Sequence, residues 1–497
     1  MAEEKQSTSY GNIFKTTFLF GFVQLFKAVV NILKNKLAAI LIGPEGMGIL
    51  GIFQNVVTLI QTGAGLGVNQ SAVRDISEAN GQNDRNAFSI IISVVNRVIL
   101  YTGLLGCVIT LTLSYFISEW TFGDHSHIVA YCILSFVVAL NIVDETKQAI
   151  LKGMRQLISL AKAGIIGSIV GLFSTIPFYY FIGKDGIVPA MLLASIIAVL
   201  VSNHYVEKIK YEKVKLSFVD VKKIATPMIK MGVALMTVTL MQTIVSLIII
   251  AYIRFKGGLE DVGLYSAGNT IINGYFGIII TALMTDYYPR VAAVNSDNEA
   301  LQEELNRQSM VTLVMCCPMF VVFMTLLPVF IELLYTTEFL PAVDFVKWSI
   351  YFTLITIVSN QVDMILVAKF KSKIMLTLCV MIRVVQVLLS ILLYNIYGLE
   401  GLGITYLILG ILHMILMCAT VYRLYRIRFT RKFIRISFYV ILFAIASSFI
   451  QSSLDSATYT IATITIILTS SIFSLKVAKH DLGIDFVAVA KKRLVKH

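Results

Sequence analysis

Charge is scarce in these 497 residues: Asp, Glu, Lys and Arg together make up 14%, against 57% hydrophobic residues, and the mean hydropathy is +0.82. That balance excludes an ordinary soluble protein and leaves a polytopic membrane protein with little mass outside the bilayer. Cysteine is sparse as well. Cys107, Cys132, Cys316, Cys317, Cys379 and Cys418 all sit within apolar runs, with neither metal-ligand spacing nor a paired extracellular framework, and read as small packing residues. Missing altogether are a His-Glu-x-x-His motif, a nucleotide-binding loop and any loop large enough to form a soluble domain. His125 and His127, the only close histidine pair, fall in a short loop. These absences argue against an enzyme, against a self-contained ATP-driven pump, and against a resident cofactor or metal. Acids are outnumbered by bases, 29 to 41. In a membrane protein that excess calls for no nucleic acid, because Lys and Arg are retained on the cytoplasmic side.

Apolar stretches are what remains. Met1 to Tyr10 is polar and precedes a run longer than the roughly 7 to 15 residues of a signal-peptide core, so the first helix is expected to be kept. At about 20 residues per crossing, spans fall near 14–42, 46–69, 87–117, 128–150, 157–182, 186–206, 226–253, 262–287, 308–334, 341–367, 373–396, 399–422, 437–453 and 457–475. The fold class is therefore all-α, with about fourteen transmembrane helices. Lys and Arg collect in alternate loops, from Arg74 and Lys152 through Lys208, Lys213, Lys223 and Lys371 to Arg431 and Lys491, while the opposite loops hold little beyond Lys36, Lys184, Arg254 and Lys256. The positive-inside rule then puts both termini in the cytoplasm.

A repeat is visible in the short turns. Gly43-Pro44-Glu45-Gly46-Met47-Gly48 aligns with Gly258-Leu259-Glu260-Asp261-Val262-Gly263, and 260 − 45 = 215; Gly183-Lys184-Asp185-Gly186 aligns with Gly398-Leu399-Glu400-Gly401, and 400 − 185 = 215 again. Ile150-Leu151 and Ile365-Leu366 keep the offset. Two parallel six-helix lobes follow, residues 1–206 and 224–425, joined by a basic linker at 207–223, with two appended helices and a basic tail in 426–497. The turns themselves read first as punctuation: Gly43 in a left-handed conformation closing a helix, Pro44 opening the next, Glu45 in its first turn. Gly63, Gly65 and Gly67 read as close helix packing. The segment Asp481–His497 reads as a short amphipathic helix lying on anionic lipid.

Several spans are not apolar all round. Gln24, Lys27, Asn31 and Lys34 recur at three, four and three residues, which puts them on one face of the first helix. A charge in hydrocarbon costs roughly 2.5 to 3.5 kcal/mol on insertion scales, so Lys27 must face water or a partner. Arg383, Gln386 and Ser390 form a second stripe, Ser266, Asn269 and Asn273 a third, and Gln54, Thr58 and Gln61 a fourth; Arg97 lies in the third span. The candidate substrate-binding residues are therefore Gln24, Lys27, Asn31, Lys34, Arg97, Asn269, Arg383 and Gln386. Asp144 and Asp363 occupy corresponding helices of the two halves and are the candidates for coupling to a proton or Na⁺, the alternative being static pairs with Lys147 and Lys369. A cavity with Lys and Arg at depth suits an anionic passenger bearing phosphate or an acidic sugar.

Leu41-Ile42-Gly43-Pro44-Glu45-Gly46-Met47-Gly48-Ile49-Leu50-Gly51, followed by Phe53-Gln54-Asn55, resembles the turn of the O-antigen and polysaccharide-lipid translocases (the Wzx type) of the multidrug/oligosaccharidyl-lipid/polysaccharide exporter superfamily. The resemblance extends over most of the chain through the two lobes and two extra helices. It implies alternating access and a passenger consisting of an oligosaccharide on undecaprenyl diphosphate, an O-antigen or common-antigen-like unit, crossing the bacterial inner membrane. It also implies surrounding membrane lipids and, as protein partners, a polysaccharide polymerase and chain-length regulator. A cation-coupled multidrug extruder of the same fold and a membrane oligosaccharide polymerase or ligase are the competing readings.

Overall fold

The computed structural model describes residues 2–81, 85–209, 211–212, 214–453 and 456–483. The tail reading for Asp481–His497 lies, from 484 onward, outside the described residues. Helices follow one another almost without interruption: α1 (Ala2–Ala64), α2 (Val68–Gly81), α3 (Arg85–Phe122), α4 (Ile128–Gly153), α5 (Leu157–Ile182), α6 (Ile187–Glu207) and α7 (Phe218–Asn269), then α8 (Phe276–Ala293), α9 (Asn298–Thr325), the short α10 (Leu327–Leu334), α11 (Ala342–Ala368), α12 (Ser372–Tyr425), α13 (Arg431–Ser453) and α14 (Ser456–Asp481). One turn of π-helix, Thr270–Tyr275, joins α7 to α8.

Among the described residues ten helical stretches are long and apolar enough to cross a bilayer. Four of them, Val23–Ala64, Leu157–Glu207, Phe218–Thr281 and Lys373–Tyr425, run to 42, 51, 64 and 53 residues. At 1.5 Å per residue each is about two to three times the roughly 30 Å hydrocarbon core. Each is broken at a glycine with positive φ: Gly43, Gly183, Gly258 and Gly398. Counting each as two crossings gives 10 + 4 = 14, the number the hydropathy pattern predicts. The break at Gly43 differs from the left-handed cap expected of it. Its φ/ψ of 63/−175° and the 83/−174° of Gly258 lie in a region that only glycine reaches without strain.

The 215-residue repeat is written into the backbone. Gly43 and Gly258 break alike, as do Gly183 (64/−132°) and Gly398 (59/−138°). Helices α4 and α11 both end in a Schellman cap on a left-handed non-glycine residue, Arg155 and Phe370. Gln156 N–H donates to Leu151 C=O in one and Lys371 N–H to Leu366 C=O in the other, both at 2.9 Å. Gly186 lies against the backbone of Phe178, and Gly401 against that of Leu393, so the chain folds back on itself at both turns.

The chain divides into two compact units, 1–263 and 264–497. The first is cored by Ala72, Ile76, Ile150, Leu151 and Val206, packed with Ile92, Val95 and Met228. The second is cored by Tyr287, Val291, Ile365, Leu366 and Val421. These five pairs are again 215 apart, so the repeat extends from the turns into the buried layer. Large apolar side chains such as Phe173, Phe181, Leu388 and Leu392 are left exposed, as expected of helices solvated by lipid.

In the first unit the segment after α6 is held against α3. Ser89 Oγ accepts from Glu212 N–H, Ser93 Oγ accepts from Val214 N–H, and Arg97 donates to Leu216 C=O at 2.6 Å. Helix residues i, i+4 and i+8 thus meet linker residues j, j+2 and j+4. The match is geometric, since four helical residues rise about 6 Å and two extended ones about 6.6 Å.

Candidate functional site

Lys27 lies sixteen residues, about 24 Å of helix, before the break at Gly43. Its side chain runs over Gly164 of α5. A Cβ built there would sit 2.2 Å from Lys27 Cε and 2.3 Å from Nζ, so a side chain at 164 would push the end of the lysine aside. Asp144 and Lys152 of α4 are within electrostatic reach of it. Lys34 is half-buried about two turns further along; Gln24 and Asn31 on the same face are exposed.

Beside Lys27, α4 presents a stripe of its own. Asn141, Asp144, Glu145, Gln148 and Lys152 line a cavity of about 460 Å³ together with Gln61 of α1 and Asn69 of α2. Asn69 Nδ2 donates to Glu145 Oε2 and Gln148 Nε2 to Asp144 Oδ2, both at 2.8 Å; Ser195 Oγ donates to Asn141 Oδ1 at 2.8 Å. Of the basic residues named as alternative partners for the acids, Lys147 donates to Asn96 Oδ1 and Lys369 to Asn298 Oδ1.

The second unit has a cavity of about 180 Å³ between α11 and α12. It brings Asp363, Arg383 and Gln386 together with Asn360, Tyr406 and His413. Arg383 donates to Gln386 Oε1 at 2.6 Å. His413 Nε2 lies 3.4 Å from Asp363 Oδ2, and its Nδ1 is 3.0 Å from Ser359 Oγ. Asp363 is 9% exposed, and its Oδ1 is buried without a hydrogen-bond partner. Asn269 borders this site through the Tyr406 hydroxyl, which also bonds Tyr265.

The two cavities occupy equivalent places in the repeat. Asn141, Glu145 and Gln148 line the first, Thr356, Asn360 and Asp363 the second, each pair 215 apart. Of the residues singled out from the sequence, Lys27 and Asp144 are gathered in one unit, and Asp363, Arg383, Gln386 and Asn269 in the other. Arg97 is directed to the linker carbonyl of Leu216. Sequence reasoning passed over Asn141 and Gln148, although with Asp144 they fall at three and four residues. It also passed over His413, which shares a face with Tyr406, Leu409 and Met417.

This geometry, an apolar helical bundle of repeated halves with a polar cavity lined by charged side chains in each unit, is that of a multi-pass membrane transporter. The profile of the polysaccharide biosynthesis protein family matches residues 37–344, and the chain belongs to that family. The lipid III flippases of Escherichia coli K12 and Shigella flexneri are each 23% identical over 336 residues, 66% of this chain and 78% of theirs. Among solved structures, the lipid II flippase MurJ in an inward closed conformation aligns with 94% of this chain and 99% of its own at a TM-score of 0.67 and 15% identity. An inward-facing MATE multidrug transporter of the MOP superfamily aligns with 81% and 98%, also at 0.67, with 17% identity. The fold is the one these MOP-superfamily transporters share.

Proposed function

We propose that this protein is a flippase that carries an oligosaccharide linked to undecaprenyl diphosphate, an O-antigen or common-antigen-like unit, across the inner membrane by alternating access. The observation that carries this reading is the Lys27 ammonium seated over Gly164 within a membrane crossing. A diphosphate brings at least two negative charges, and an isolated ion entering the bilayer meets a desolvation cost that a fixed cation offsets. Lys34 adds a second cation on the same helix, and Arg383 is the cation of the cavity in the second unit, while the polyprenyl chain stays in lipid. Both termini are cytoplasmic in this scheme, and the passenger is delivered to a polymerase and chain-length regulator on the far side. Coupling to a proton or Na⁺ falls on Asp363, whose buried oxygen lacks a partner and whose neighbour His413 can itself take a proton.

The test is complementation of surface polysaccharide in a flippase-null strain, with membrane abundance measured alongside. Lys27→Ala should lower polysaccharide at least roughly tenfold, about 1.4 kcal/mol in the barrier. Lys27→Arg should retain part of the activity and Lys27→Glu least. Wild-type polysaccharide from Lys27→Glu at normal abundance would remove the mechanism. The acids Asp144 and Glu145 are the observation that favours a cation-coupled multidrug extruder instead. Expression of the protein in an efflux-deficient strain should leave ethidium accumulation unchanged; lowered accumulation would favour the extruder.

A further inference from the structure

We infer that the cavity of the first unit is a seat for the glycan, distinct from the cation that meets the phosphates; this rests on the flippase reading above. The chemistry of the lining decides the class of ligand. Of the nine residues around the cavity only Val73 is apolar, and the groups that converge are the carboxamides of Gln61, Asn69, Gln70, Asn141 and Gln148, the carboxylates of Asp144 and Glu145 and the single ammonium of Lys152. A phosphate accepts hydrogen bonds and offers none at its anionic oxygens, so here it would meet two carboxylates against the one ammonium of Lys152. A metal cation needs oxygens alone and would leave the amide N–H groups without use. A hydroxyl both donates and accepts, and neighbouring ring hydroxyls or an acetamido group need donors and acceptors side by side.

The lining supplies that mixture and holds it in place. Asn69 is fixed on Glu145 and Gln148 on Asp144, each through a single N–H at 2.8 Å. Each amide keeps a second N–H and its carbonyl oxygen, and each carboxylate keeps lone pairs for a ligand. Asn141, anchored by Ser195, retains both of its N–H groups. Groups locked by one another before the ligand arrives lose little freedom when it binds. The volume of about 460 Å³ lies within the ordinary range for small-ligand sites and admits one or two sugar rings. Lys27, within electrostatic reach of Asp144, puts a phosphate seat next to this glycan seat in the same unit.

The experiment places benzoylphenylalanine at Gln70, an exposed residue of the cavity lining, in cells making their own lipid-linked oligosaccharide. A second probe replaces Asn31 on the Lys27 face. After irradiation the cross-linked peptide is treated with mild acid, which cleaves the glycosyl diphosphate bond, and weighed. The Gln70 peptide should keep sugar mass and lose the polyprenyl diphosphate. Gln61→Met together with Gln148→Met should lower that adduct roughly tenfold, the cost of two hydrogen bonds, with the adduct at residue 31 retained. A Gln70 peptide that keeps polyprenyl mass instead, no adduct at Gln70 while residue 31 is labelled, or an unchanged yield in the double variant overturns the glycan seat and leaves the flippase reading standing. Adducts at both positions carrying neither sugar nor polyprenyl mass overturn both.

Discussion

At Lys27 the membrane converts a single side chain into a statement about its neighbour. An ammonium inside a crossing is tolerated only where it faces water or a partner, and Gly164, having no side chain, leaves space for it against α5. Gly164→Ala is therefore expected to displace Nζ and reproduce the transport loss of Lys27→Ala at normal abundance. Because the two substitutions act through one contact, combining them should add nothing further. Additive losses in the complementation assay would separate Gly164 from the lysine. Asp363 has the complementary situation, a buried oxygen without a donor, beside His413. Asp363→Asn keeps the shape of the side chain while removing its charge and its titratable oxygen. Transport by the variant, measured in vesicles with imposed proton or sodium gradients, should lose its gradient dependence; retention of the full dependence would remove Asp363 from coupling.

Between residues and the whole chain stand the turns and the strap. Gly48 and Gly263 are 215 apart, and a Cβ on Gly48 would lie 2.0 Å from Leu259 O, while one on Gly263 would lie 1.8 Å from Pro44 O. The two equivalent turns thus meet backbone to backbone, each through its own glycine, at a distance no side chain allows. Gly48→Ala should force them apart and raise the thiol reactivity of a cysteine placed at Leu259; unchanged reactivity would mean that the contact yields elsewhere. The strap on α3 makes a second prediction. Removing Ser89 and Ser93 hydroxyls together leaves two linker amides unpaired, at about 1 kcal/mol each, so Ser89→Ala/Ser93→Ala should speed tryptic cleavage near Lys208 and Lys215. At this scale the sequence was most legible. Crossings follow from run length, turns from Gly and acid at fixed offsets, and both survive in the structure because lipid leaves an apolar stretch few alternatives to the helix. The cavities were less legible. Arg97 fell in a span and read as a ligand, yet what it meets is a carbonyl more than a hundred residues away, a partner no local spacing announces. His413 and Gln148 were visible as stripes but carried no buried charge to single them out.

For the molecule as a whole, parity is the sharpest constraint. Between Lys208 and Lys371 the chain makes four crossings: the two within Phe218–Thr281, then Asn298–Thr325 and Ala342–Ala368. An even number puts both lysines on one side of the membrane. Lys256 precedes the break at Gly258, one crossing after Lys208 and three before Lys371, and must lie on the other side. On the positive-inside rule we propose that the first side is the cytoplasm, because Lys208 and Lys371 sit in the loops where positive charge accumulates. The consequence is checked with single cysteines in a variant whose six native cysteines have been replaced. Lys208→Cys and Lys371→Cys should react with a membrane-impermeant maleimide only after permeabilisation, and Lys256→Cys should react in intact cells. All three positions are exposed, so failure to label cannot come from burial. If Lys208→Cys and Lys371→Cys labelled from opposite sides, one of the glycine breaks would not reverse the chain and the fourteen-crossing count would fall. If all three behaved as grouped but inverted, the count would stand and the positive-inside assignment of the termini would be reversed.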